Sequence, residues 1–137
     1  INEDIEYELG SVENLIRIPS LVWIIEGDLK INWQVSKLAG TFIVLGDGNS
    51  CSFVSPEVPD PGCGQIITCE GTPGQCSMNS LTVSGNVMAK YFDLGRYFID
   101  PATGQAAESF INDGRLQANP PPGFEDFSSV IPRFSDY

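Results

Sequence analysis

Four cysteines, a few acidic turn clusters and two close carboxylate pairs are the residues of this 137-residue chain that could do chemistry. Cys51, Cys63, Cys69 and Cys76 share one Pro- and Gly-rich stretch, with eleven, five and six residues between successive members. A zinc or iron–sulfur site normally draws two ligands from one C-x-x-C turn, and none occurs here. The four therefore read as two disulfides, which implies an oxidising setting, outside the cell or in a periplasm; the location expected is extracellular, at the cell surface. The nested pairing, Cys51–Cys76 with Cys63–Cys69, is preferred because Cys51 follows one strand and Cys76 precedes another, so that bridge would clamp the base of the excursion. Pairing of neighbours, Cys51–Cys63 with Cys69–Cys76, is the rival.

Histidine is absent, which removes Ser–His and Cys–His nucleophiles, histidine-ligated zinc and haem attachment through C-x-x-C-H. Asp47 in GDGNS, Asp100 in DPATG and Asp113 in NDG could offer oxygens to calcium. None completes a D-x-[DN]-x-[DN]-G loop with its terminal Glu, and Asp and Asn favour turns for backbone reasons alone. Glu125 with Asp126, and Glu57 with Asp60, could serve glycoside hydrolysis only across a cleft. Among 18 acidic residues such pairs arise by chance. The reading is a non-enzyme with no catalytic residue, no metal and no cofactor. Trp23, Trp33, Tyr91, Tyr97 and Phe98 lie on or beside strands and could form a sugar-stacking platform; the plainer reading puts Trp33 and Tyr91 in the core. Arg17, Arg96, Arg115 and Arg133 are scattered and read as surface bridges to the plentiful acids.

Seven basic against 18 acidic residues give a formal charge of −11, a surface that repels nucleic acid and anionic membrane. The longest apolar strand run, LVWII, is far too short to span a bilayer. The sequence has neither an initiator Met nor a signal peptide and reads as a processed product or a portion of a longer polypeptide.

The elements that must position these residues are mostly strands. Ser20–Val35 (SLVWIIEGDLKINWQV) and Ser80–Leu94 (SLTVSGNVMAKYFDL) follow one template, Ser-Leu, apolar strand, glycine, second strand; Lys37–Asp47 looks like a partial copy around Gly40. Repeated units of this kind predict stacked rungs that bury apolar faces against their neighbours. LVWII is apolar on both faces and reads as a strand covered on both sides or central in a sheet. Leu29, Ile31 and Trp33 alternate with Asp28, Lys30 and Asn32, and Gly40–Leu45 reads as another buried strand. A short strand is expected at Gln65–Thr68, and ESFINDGRLQAN reads as a hairpin turning at Asp113-Gly114, with a helix over 105–111 as the alternative.

Three regions follow: an entry segment with a leading strand, residues 1–19; one β domain, residues 20–119, with the disulfide excursion at 50–79; and a Pro-rich, then aromatic tail, residues 120–137. The fold expected is mainly β, a short stacked β-solenoid (β-helix-like) or a β-sandwich. The IEGDLKI and KLAGTFIV strands, LTVSGNVMAKYFDLGR and the closing NPPPGFEDF are similar to uncharacterised domains of large secreted or surface proteins of uncultured bacteria. The glycine-punctuated strands also resemble bactofilin-type polymer-forming solenoids, from which the disulfide excursion departs. That resemblance implies stacked rungs and end-to-end joining of units. The function expected is a structural subunit of an extracellular assembly or filament, whose partners are copies of itself or neighbouring domains. Contacts are expected at Ile5, Tyr7 and Leu9 in the leading strand, and at Phe124, Phe127, Ile131 and Phe134 in the tail. An adhesin-like glycan-binding module is the alternative.

Overall fold

The computed structural model describes residues 1–7, 19–48, 51, 53–55, 58–98, 106–112 and 114–125. It is mainly β. Along the chain run β1 (Val22–Ile25), β2 (Leu29–Asn32), β3 (Lys37–Val44), β4 (Phe53–Ser55), β5 (Val58–Pro59), β6 (Gln65–Glu70), β7 (Leu81–Ala89), β8 (Tyr91–Asp93) and β9 (Glu108–Ile111). Two single helical turns, α1 (Pro73–Cys76) and α2 (Arg115–Ala118), complete the set. One sheet has the order β1-β3-β7-β9, a second β2-β6-β8, and every pairing within them is parallel. β4 and β5 form a small antiparallel pair inside the excursion.

Parallel neighbours cannot be joined by a tight hairpin. The chain meets this constraint by alternating: β1, β3, β7 and β9 fall in the first sheet, and β2, β6 and β8 between them fall in the second. Successive passes thus lie as layers, β1 with β2, β3 with β6, β7 with β8, then β9. Alternation along each strand turns one row of side chains inward. Leu38, Phe42, Val44, Leu81 and Val83 of the first sheet meet Leu29, Ile31 and Ile66 of the second in one buried cluster.

Gly40 and Gly85 are register partners on β3 and β7, with φ of +131° and +142°. They pack backbone on backbone. The layers align differently from the sequence template. Val22 is level with Thr41 and, through it, Asn86, so Trp23, Phe42 and Val87 form one inward row. Gly27 therefore belongs to the turn between β1 and β2 and is not the counterpart of Gly85. Burial of apolar side chains sets register more firmly than the Ser-Leu match does.

Other expectations are corrected. LVWII is not covered on both sides: β1 is an edge strand, with Trp23 42% and Ile24 60% exposed. The Asp113-Gly114 hairpin does not form. β9 pairs in parallel with β7, and the chain then enters α2 from Gly114. The disulfides join neighbours, Cys51–Cys63 and Cys69–Cys76, with Cα separations of 5.4 and 5.8 Å. The nested pairing fails because β6 runs extended between Cys63 and Cys69, holding them about 20 Å apart at strand rise. Cys76 instead lies on α1, just beyond the end of β6.

Asp28 fixes where the excursion rejoins the sheets. Its carboxylate accepts backbone N–H groups from Gly62, Gly64 and Gln65 at 2.6, 3.0 and 2.9 Å. Substitution Asp28→Ala leaves these donors without their acceptor and is expected to cost about 3 kcal/mol, measured by urea denaturation of the non-reduced protein.

Candidate interaction surface

The two ends of the layered stack differ, and the leading residues make the difference. β1 pairs only with the Thr41–Val44 half of β3. Beside the other half, Ile5 bridges Leu38 in parallel, its N–H donating to the Lys37 carbonyl at 3.0 Å. Ile1 sits on the outer edge of β2, where its carbonyl accepts the Asn32 N–H at 2.9 Å. Between them Asp4 accepts the backbone N–H groups of Ser36 and Lys37 at 2.6 and 3.1 Å and the Ser36 hydroxyl at 2.8 Å. Lys37 also pairs with Glu6 at 2.7 Å. The leading segment is thus latched onto the first layer of its own chain.

Burial pushes the Asp4 carboxyl up, but the Ser36 and Lys37 donors and the Lys37 charge outweigh it and hold the group below its ordinary value. A lowered carboxyl pKa gives stability that is present above the unfolded value and lost as pH falls through the folded one. Thermal melts of wild type and Asp4→Asn are therefore expected to differ above about pH 4 and to converge as pH drops below it. Equal melts at neutral pH would show that the latch contributes nothing.

Arg96 corrects the expectation of a surface bridge: it is only 6% exposed. Its Nε donates to the Thr68 carbonyl at 2.8 Å, and its terminal nitrogens to the carbonyls of Asn79 and Asn32 at 3.3 and 3.0 Å. Its own N–H donates to Glu108 Oε1 at 2.8 Å, which also accepts the Thr68 hydroxyl at 2.6 Å. One guanidinium thereby ties the end of β2, the middle of β6 and the approach to β7, while its backbone reaches β9. Desolvation lowers the Arg96 pKa against the opposing charges of Glu108 and Asp4, yet a guanidinium stays charged across the usable pH range.

At the far end the last layer is open. β9 covers only Leu81–Ser84 of β7, so the Gly85–Ala89 half of that edge has no strand partner among the described residues. Inward-facing Phe92 and Phe110 are 49% and 43% exposed, with no further layer over them among the described residues.

The sequence-derived contact residues divide between these places. Ile5 and Tyr7 are engaged within the chain: the Tyr7 hydroxyl accepts the Leu21 N–H at 3.0 Å, and Arg115 lies 4.1 Å over its ring. Phe124 is half-buried in the turn after the prolines. Leu9, Phe127, Ile131 and Phe134 lie outside the described residues, as do Glu57, Asp100, Asp113 and Asp126. Glu125 is exposed and is held below the ordinary carboxylate range by its own and the Gly123 backbone N–H groups. No group of three or more Cys, Asp or Glu side chains able to hold a metal is found among the described residues.

Neither Trp33 nor Tyr91 joins the core cluster; both are half-buried, because the bulge in β2 ends its inward row at Ile31 and Tyr91 stands outside the Ile66–Phe92 row. Tyr97 is exposed and donates its hydroxyl to the Pro73 carbonyl at 2.8 Å. A cleft of about 340 Å³ opens on the outer face of the first sheet between Tyr7, Lys37, Thr82, Ser84 and Arg115. Tyr7 is its one aromatic ring among the described residues, and Arg115 already covers a face of it. Compared with known protein families, curated proteins and solved structures, the chain matches none.

Proposed function

We propose that the chain is a structural subunit of an extracellular assembly, built as a short solenoid and self-associating through its ends. The observation that carries this reading is the exposed apolar edge β1. Its sequence is that of a strand buried on both faces, yet Trp23 and Ile24 stand open. Large apolar residues left on a strand edge mark contact sites or aggregation liabilities. The two disulfides support an oxidising setting. Sedimentation velocity of the non-reduced protein over a concentration series tests it. Average mass is expected to rise with concentration, and a monomer at every concentration would contradict the reading.

The cleft beside Tyr7 favours a second reading, a glycan-binding module, since Thr82 and Ser84 offer hydroxyls there. It calls for saturable glycan binding that Tyr7→Ala abolishes. A blank glycan array removes it.

A further inference from the structure

We propose that copies stack head to tail in one defined register, the half-empty fourth layer of one copy being completed by β1 of the next. This rests on the self-association reading and adds its geometry. β9 fills the Leu81–Ser84 half of the edge of β7, and the half at Asn86–Ala89 has no strand beside it among the described residues. β1 occupies the same level as that open half, since Val22–Ile25 pair with Thr41–Val44, themselves level with Asn86–Ala89. Both edges are parallel, so β1 of an incoming copy adds to β7 in the sheet's own hydrogen-bonding pattern. Trp23 then falls beside Val87, both inward, and Ile24 beside Met88, both outward and exposed.

The second sheet continues in the same step. Leu29 and Phe92 are both level with Ile66, and Lys30 and Asp93 both with Ile67. β2 of the incoming copy thus covers the bare Phe92 and sets Lys30 against Asp93, a match of opposite charges. Such a contact is heterologous and does not close, so it propagates into a filament.

One element stands in the way. Ile5 is level with Leu38, and so is Phe110 through Val83. Residues 1–5 of the incoming copy must leave β3 and β2 for β9 and β8 of the resident copy to take their place. Glu108, whose Oε2 is buried without a partner among the described residues, stands level with Ser36, the residue that Asp4 gives up. The Asp4 latch therefore gates the stacking.

Cross-linking tests the register on the full chain. Ile24→Cys and Met88→Cys proteins, mixed under mild oxidation, are expected to give a disulfide-linked dimer on a non-reducing gel; Ile24→Cys mixed with Ser84→Cys is not. Ile24→Pro removes an outward N–H from β1 while leaving the bonds that Leu21 and Ile25 make to β3. It is expected to raise the concentration needed for assembly at least about tenfold, with the monomer's melt unchanged. Asp4→Asn is expected to lower that concentration. If wild type assembles but Ile24→Pro assembles equally, and the Ile24→Cys and Met88→Cys proteins give no linked dimer, this geometry is overturned while self-association stands. If wild type never assembles, both readings fall.

Discussion

Gly85→Ala is expected to abolish the native fold, or to cost at least about 4 kcal/mol if a folded fraction survives. A β-carbon at this position would lie 2.7 Å from the Gly40 carbonyl carbon and closer still to its oxygen. The obstacle is backbone in the neighbouring strand, so no rotamer change relieves it. The φ of +142° adds strain for any residue with a side chain. Relief would require β3 and β7 to separate at the middle of their eight-pair ladder, where they hold the core rows together. Gly27→Ala is the informative comparison. It has a positive φ too but meets nothing within 4 Å, so only its conformational cost, about 1 kcal/mol, is expected. Urea denaturation of both variants, non-reduced, separates collision from strain. Equal effects would mean that the glycine stack is not what holds these layers at their spacing.

The second large effect is expected at Arg96. Arg96→Met keeps a similar volume but removes every side-chain donor, leaving the carbonyls of Asn32, Thr68 and Asn79 without the groups that now satisfy them. It also leaves the partly buried Glu108 carboxylate without its compensating charge. Removing one member of a buried charged network typically costs about 3–5 kcal/mol, and a loss of that size is expected here. Arg96→Lys is expected to recover little. An ammonium is a single point of charge and cannot reach three carbonyls as a planar fork does. A double variant with Glu108→Gln should cost less than the sum of the two single changes, because the carboxylate is then no longer left unpaired. Strict additivity would show that Glu108 and Arg96 do not act together.

Much of the strand content is legible in the sequence because each strand carries a local alternation or an apolar run. Lys37–Val44 and Leu81–Ala89 are readable in this way, as is the short strand after Cys63. That last strand could also have settled the disulfides, since an extended segment between Cys63 and Cys69 forbids their bridging. What local pattern does not contain is which strand lies beside which. The template matches Gly27 to Gly85, whereas the structure stacks Gly40 on Gly85, because inward rows of side chains decide alignment across layers. Arg96 and Asp28 escape a sequence reading for a related reason. Each binds main-chain groups of segments distant in sequence, and carbonyls and N–H groups carry no residue-type signature. The run LVWII reads as a covered strand and is an edge strand among the described residues. The proposed stacking would cover it.

Negative-stain and cryo-electron microscopy of the non-reduced protein test the central claim most directly, through the axial rise of any filament. β1 of an incoming copy fills the layer that β9 half occupies, so each copy adds three layers. At a strand spacing of about 4.8 Å, the predicted rise is about 14 Å per copy. A filament with that rise and strands perpendicular to its axis is the expected result. Closed dimers, or filaments whose rise is not three strand spacings, would contradict the account.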